Sequence, residues 1–467
     1  MKTTQADPNN PAEKEAAEKL PFLTKFFYGI GDLGNAIINS AIQFFLMKFY
    51  TDGALIPPAL AGNALLIGKF WDAANDPLFG WIADRTNAKI GRRRVFMFFG
   101  AIPLGISIAL LWFVPQGVSR IATFTWIALT FILFDTLWTL TNVPYYALTS
   151  ELTDDYDERS ALTTFRMVMA VPAYLVGVAL TPLIVGLFAV ERSGWGFIGI
   201  LYGAICAAVL IISAAGIKER KKVQRTESKI NVWDGIRATF SNKPFLLLCA
   251  AYLIINLSFA LIKTLMAYFL EYQLEMAAEV PLVMGLMLIC VTISLPIWRR
   301  LGEKLDKGPT YAMGMAIGAL AVGASFLLPH QKTALIYPLA VLAGIGFGAQ
   351  WIFPWAMVAD VVDFDRVKTG EFRSGMYFGV WGLATKISEA LAIAGVGWVL
   401  TGFGYQANMA QSVQSLFGIR LFFGPIPGVV IMITLPLLIW YPITRKKHAE
   451  IRQALEMRDQ NAPQEEA

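Results

Sequence analysis

Long apolar runs recur along this chain, separated by short polar breaks. A run of about 20 residues is enough to cross the hydrocarbon core of a bilayer as a helix. Read this way, the pattern predicts twelve membrane-spanning helices. They lie near 26–51, 58–83, 95–114, 121–147, 163–189, 195–217, 244–270, 281–299, 309–328, 334–359, 373–402 and 418–443. The expected fold class is an all-α polytopic membrane protein, with both termini on one side because the number of spans is even.

Polar residues inside these runs demand an explanation, since lipid cannot satisfy them. Span two carries Asp72 and Asp76, four residues apart and so on one helix face, with Asn75 beside them and Lys69 one turn earlier. Two carboxylates and an amide at this spacing can offer hard oxygen ligands to Na⁺, or share a proton. An internal salt bridge to Lys69 is the structural alternative, but one lysine cannot neutralise two carboxylates.

Span one holds Asp32, Asn35, Asn39 and Gln43 at helical spacing, and span four repeats the pattern with Asp135, Thr139, Asn142 and Tyr146. Each stripe either lines a cavity or ties helices together. Arg166 lies a turn or so into span five, where it snorkels or pairs with Asp135 or the acidic loop that precedes it. Span seven contains Asn256 and Lys263. Span eleven contains Lys386 and Glu389, three residues apart, and this lysine either pairs internally or answers the span-two carboxylates. Trp351 and Trp355 in span ten, with Tyr145 and Tyr146 in span four, offer aromatic faces that can stack on a sugar, line an amphiphile's path or simply pack. The glycine run Gly344-Ile-Gly346-Phe-Gly348 lies within a span and allows close helix approach rather than phosphate binding.

Composition agrees with the pattern. The chain is 56% hydrophobic and 16% charged over 467 residues, too apolar for a soluble domain of that length. Its net charge of +5 does not imply nucleic acid, because the basic residues gather in alternate loops. Cys206, Cys249 and Cys290 fall in separate runs with no disulfide or metal spacing. Neither His330 nor His448 is inside a span, so proton coupling would fall to carboxylates. Residues 1–20 lack the apolar core of a cleavable signal. No nucleophile–base grouping or nucleotide-binding motif appears, so an enzyme is not expected. A transport-inactive membrane sensor is the non-transport alternative.

Arg85, Lys89, Arg92, Arg93 and Arg94 crowd the loop at 84–94, and further Lys and Arg crowd 218–243, 299–308 and the tail, while the opposite loops hold few. By the positive-inside rule both termini face the cytoplasm. The long charged connection divides the chain into a tail at 1–25, a half at 26–217, a middle loop at 218–243, a half at 244–443 and a tail at 444–467. A weak repeat supports two halves: Ala147-x-x-x-Glu151-x-x-Asp154 with Arg159-Ser160 echoes Ala356-x-x-x-Asp360-x-x-Asp363 with Arg373-Ser374. Repeated halves around a central site mark secondary transporters.

Several of these motifs together resemble the glycoside–pentoside–hexuronide:cation symporters of the major facilitator superfamily, the group that includes the melibiose/sodium symporter. The resemblance rests on Tyr28-Gly-Ile-Gly31-Asp-Leu-Gly34, Phe49-Tyr-Thr-Asp52, Trp71-Asp72-Ala-Ala-Asn75-Asp76-Pro77 and Asn142-Val-Pro144-Tyr-Tyr-Ala-Leu148. Val358-Ala-Asp360-Val-Val-Asp363, in the loop after span ten, and Tyr441-Pro442 complete it. Gly80-x-x-x-Asp84-Arg85 with Gly91-Arg92-Arg93 resembles the superfamily's loop signature, where charge pairs latch the cytoplasmic side. With Glu151 and Asp360, these are the expected gating residues.

The resemblance implies a twelve-helix fold of two six-helix halves, cation-coupled uptake by alternating access, and placement in a bacterial inner membrane, in a protein expected to be monomeric. It makes Asp72, Asp76 and Asn75 the ligands of a coupling cation, Na⁺ or else H⁺ or Li⁺, with no other cofactor. Arg166 and Trp351 match positions of the family's solute cavity, and Lys386 matches its span-eleven lysine next to the cation site; with Asp32, Asn35, Asp135, Asn142 and Tyr146 they are the candidate solute contacts. The family's sugar carboxylates in spans one and four are matched here by Ala36 and Asn142. The vertebrate sodium-dependent lysophosphatidylcholine transporters, similar at Val143-Pro-Tyr-Tyr-Ala-Leu-Thr149 and Phe165-Arg166-Met167, also lack those carboxylates. The expected solute is therefore a sugar, glycoside or uronate, with a lysophospholipid or other amphiphile as the alternative.

Overall fold

The computed structural model describes residues 19–86, 88–153, 156–219, 237, 239–369 and 373–461. Most of the expected tail at 1–25 and of the middle loop at 218–243 lies outside them. The described residues form helices without a strand. Helix α1 is Phe22–Ala41, continued by π-helical turns at Ile42–Leu46 and Phe49–Gly53. Then follow α2 Pro58–Arg85, α3 Arg94–Leu111, α4 Arg120–Leu152, α5 Tyr156–Val185 and α6 Glu191–Gly216. The next six elements are α7 Lys243–Tyr268, α8 Val280–Lys304, α9 Lys307–Ala324, α10 Ile336–Thr369, α11 Ser374–Gly402 and α12 Val413–Phe423. Last come α13 Pro425–Ile439 and α14 Arg445–Asn461.

Among the described residues ten stretches are long and apolar enough to cross a membrane, α12 and α13 counting as one broken span. The other two long helices, α1 and α2, carry the buried polar residues Asp32, Asn35, Asp72 and Asn75, which lower their hydropathy. Two sequence expectations change. Span twelve breaks at Gly424, because Pro425 opens α13 and cannot donate the backbone hydrogen bond that would continue α12. The segment Val358–Asp363 is not a loop but part of α10, which runs on to Thr369.

Two compact units result, Met1–Ile42 with Trp71–Arg225 and Gln43–Phe70 with Thr226–Ala467. In the first unit α1 packs on α5 and α6, and α3 packs on α4 and α6. In the second α7 packs on α11 and α13, and α9 packs on α10 and α13. The packing partners thus repeat with an offset of six spans. Small residues make this packing close. A Cβ on Gly105 of α3 would stand 2.6 Å from the carbonyl oxygen of Gly203 on α6, and one on Gly346 of α10 would stand 2.6 Å from that of Gly314 on α9.

The hairpin 43–70, which lies inside the expected half 26–217, packs in the unit that contains α7 to α14. Its α2 segment lies against α11. Ala59 donates its backbone N–H to Thr401 at 2.9 Å, Trp398 donates to Asn63 at 2.9 Å, and a Cβ on Gly397 would meet the Pro58 carbonyl at 2.5 Å.

Candidate functional site

Helical spacing brings the polar stripe of α2 against that of α4. Asn75 Nδ2 donates to Asp135 Oδ2 at 2.8 Å, Thr139 Oγ1 donates to Asp76 Oδ1 at 3.0 Å, and Trp71 Nε1 donates to Thr136 Oγ1 at 2.8 Å. Asp72 is 6% exposed and Asn75 1%. The side-chain oxygen of Asn75 is buried and accepts no hydrogen bond. A buried carbonyl oxygen without a donor is costly. It stands one residue from Asp76 and three from Asp72, so a cation held by these carboxylates would satisfy it. Among the described residues, no three His, Cys, Asp or Glu side chains converge on a metal-sized point.

The stripe of α1 meets α4 and α5. Asn35 Nδ2 donates to Asn142 Oδ1, and Asn142 Nδ2 donates in turn to the Trp138 carbonyl at 3.1 Å. Asn35 Oδ1 is a second buried oxygen without a donor. Arg166 of α5 bonds Asp32 Oδ2 through both Nε (3.2 Å) and Nη2 (3.1 Å). Its guanidinium lies 4.5 Å from the ring centre of Tyr146, whose hydroxyl donates to Asp32 Oδ1 at 3.5 Å. Sequence spacing offered Arg166 to Asp135 or to the acidic loop; the structure gives it Asp32 instead.

In the second unit Lys69 lies 3.6 Å from Glu389 of α11. Glu389 thus takes a lysine from another helix, where the sequence offered Lys386 on its own. Lys386 is half-buried on α11, and Trp351 and Trp355 of α10 are largely exposed. Asn256 of α7 donates to Ser388 of α11 at 2.7 Å, and Lys263 of α7 donates to Gln43 at 2.6 Å.

The end of each unit that carries the basic loops has a charge lock, and the two locks follow the sequence repeat. Glu151, at the end of α4, receives Arg92 (2.6 Å) and Arg93 (2.9 Å), the residues that lead into α3. Asp360, in the last turns of α10, receives Lys307 (2.6 Å), the first residue of α9. His448 of α14 adds an Nε2 contact to Asp360 at 3.3 Å. Glu219 accepts the backbone N–H groups of Arg92, Arg93 and Arg94 and so caps α3. Arg85 is exposed at the end of α2, and the side chain of Asp84 lies outside the described residues.

One cluster escaped the sequence reading. Asp52, 2% exposed, accepts from Lys48 (2.5 Å), Thr51 (2.7 Å), Tyr272 (2.7 Å) and Tyr405 (2.5 Å). Lys48 also pairs with Glu271 at 2.9 Å, and Asn408 donates to the Asp52 carbonyl at 2.8 Å. Burial and the adjacent charge of Asp52 hold the Tyr405 phenol well above its ordinary pKa, so it remains a donor. Lys48 and Asp52 are four residues apart in the sequence, a visible pair signal. Both lie in or beside the π-helical turns that extend α1, a feature frequent at functional positions.

The family described as MFS/sugar transport protein matches residues 27–445. An uncharacterized symporter of Synechocystis sp. is 29% identical, over 96% of this chain and 98% of the relative. The sodium-dependent lysophosphatidylcholine symporter 1 of Xenopus tropicalis is 25% identical, over 96% and 93%. A solved structure of a proton-dependent oligopeptide transporter superimposes with a TM-score of 0.63 at 13% identity, covering 92% of this chain and 99% of that one; it shows the fold alone.

Proposed function

The chain belongs to the family of MFS/sugar transport proteins, and we propose that it is a symporter that moves a small solute inward by alternating access, driven by Na⁺ or H⁺ bound at Asp72, Asn75 and Asp76. The observation that carries this reading is the donorless buried oxygen of Asn75 beside two carboxylates. A bound cation lowers the mutual repulsion of Asp72 and Asp76. With it, the pair becomes compatible with a closed, low-dielectric interior. Asp32 with Arg166, Asn35 with Asn142, Tyr146, Trp351 and Lys386 are the proposed solute contacts.

In the cycle, two six-span halves rock about the site. The locks at Glu151 and Asp360 brace the cytoplasmic ends of the helices, and the Asp52 cluster holds hairpin 43–70 against the C-terminal spans when the outer side is closed. The basic-loop pattern supports cytoplasmic termini, and the bacterial relative supports an inner membrane.

A sugar, glycoside or uronate is the leading solute, supported by the family description. A lysophospholipid is the second reading. It is favoured by Ala36 and Asn142 in place of sugar carboxylates and by the Xenopus relative. Counterflow in proteoliposomes separates them: sugars, uronates and lysophosphatidylcholine are each tested with and without Na⁺ at two pH values. Cation-stimulated exchange of one class names the solute and the ion. Exchange that ignores both Na⁺ and pH would end the symport reading.

A further inference from the structure

Lys263 is a buried cation that the scheme above does not use. It lies within α7 and is 7% exposed. Its ammonium donates to Gln43 Oε1 at 2.6 Å and lies 5.0 Å from the ring centre of Phe259. Among the described residues it has no ion pair within 4.0 Å. Its own helix carries no acid at all, and α11 carries one, Glu389. Glu389 interacts with Lys263 through space but binds Lys69, and Lys69 adds a second positive charge to the same surroundings.

An ammonium has three N–H donors. Gln43 accepts one and the Phe259 face covers one side, which leaves donor capacity without an acceptor. A positive charge held in a membrane interior in this state is costly and calls for a counter-charge. Other polar groups shared by α7 and α11 are matched to each other: Asn256 with Ser388 at 2.7 Å, and Thr385 with Tyr252 at 3.2 Å. Tyr252 stacks on Trp381 at 3.9 Å, which stiffens the contact of α7 with α11. Gln43, as the acceptor, fixes where the ammonium points.

We propose that Lys263, oriented by Gln43, recognises the anionic group of the transported solute, which therefore carries a carboxylate or a phosphodiester. The inference rests on the symport reading and sharpens it, since it removes neutral sugars and retains uronates and lysophospholipids. Lys263 is the specificity-determining residue and Gln43 the residue that positions it.

The test uses the full chain in lipid nanodiscs and reads the thermal unfolding midpoint with matched probes: D-glucuronate against D-glucose, and lysophosphatidylcholine against the monoacylglycerol of the same chain. The acidic member of one pair raises the midpoint and its neutral twin does not; which pair responds separates carboxylate from phosphodiester. Lys263→Gln removes that difference, and Lys263→Arg keeps much of it. Both variants keep the Na⁺- or pH-dependent shift that arises at Asp72 and Asp76, which shows that they are folded. The proposal is overturned if neutral twins act as well as acids, if Lys263→Gln still tells them apart, or if no acid shifts a protein that still responds to Na⁺ or pH. Loss of the cation response in the unmodified protein counts instead against the symport reading.

Discussion

Asn75 bonds Asp135 through its amide nitrogen at 2.8 Å and leaves its buried oxygen without a donor. The first contact fixes the second, because an amide whose nitrogen is held cannot turn its oxygen away. Asn75→Ala removes the neutral member of the proposed ligand set and leaves both carboxylates. The expected result is a loss of about tenfold in apparent cation affinity, the size of one hydrogen-bond-strength contact to a charge, with maximal exchange retained. The Na⁺ or H⁺ dependence of counterflow checks it; an unchanged half-saturating concentration would remove Asn75 from the site.

Asp72→Asn acts differently, because it removes charge. The variant is expected to exchange solute down its gradient yet fail to accumulate it, as the cation no longer contributes differential binding between states. Uptake driven by an imposed Na⁺ or proton gradient, compared with equilibrium exchange, separates the two activities. Normal accumulation by this variant would place coupling elsewhere.

Arg166 and Asp32 form a pair with side chains only 16% and 8% exposed. Truncating either one strands a buried charge, at a cost of roughly 3–5 kcal/mol. Arg166→Gln combined with Asp32→Asn strands none and is expected to cost clearly less than the two single changes added together. Unfolding midpoints of the four proteins in detergent form the double-mutant cycle. Additive losses would mean that the pair is not coupled.

How far the sequence reaches is clearest where it stops. Span six was expected near 195–217 and α6 is Glu191–Gly216, since charged loops bound the apolar run. The break at Gly424 was missed because both sides of it are equally apolar and hydropathy registers no change. The extension of α10 past Asp360 was missed for the opposite reason: a helix continues beyond the membrane once water can solvate its charged residues. Spacing puts Asp72 and Asp76 on one face, with Asn75 beside it, because they lie within one turn. It could not find that Glu389 takes Lys69, or that Arg166 takes Asp32, since those partners come from different helices. The Lys48–Asp52 pair was legible, but its tyrosine donors lie more than 200 residues away.

That last cluster yields the prediction most specific to this chain. Asp52 gathers four side-chain donors, so Asp52→Asn both removes the charge that holds Lys48 and turns one acceptor into a donor facing other donors. If the cluster keeps the outer side shut, the variant opens it. A cysteine placed at Ile56, 5% exposed at the turn between α1 and α2, then reports the change in a background without Cys206, Cys249 and Cys290. A membrane-impermeant thiol reagent added from outside is expected to label it about tenfold faster in Asp52→Asn than in its parent, the effect of weakening a closed state by about 1.4 kcal/mol. Tyr405→Phe removes one donor and leaves the charge, so its labelling falls between the two. Equal rates in all three proteins would make the cluster a packing feature. Labelling from the opposite side alone would reverse the topology assigned to the hairpin.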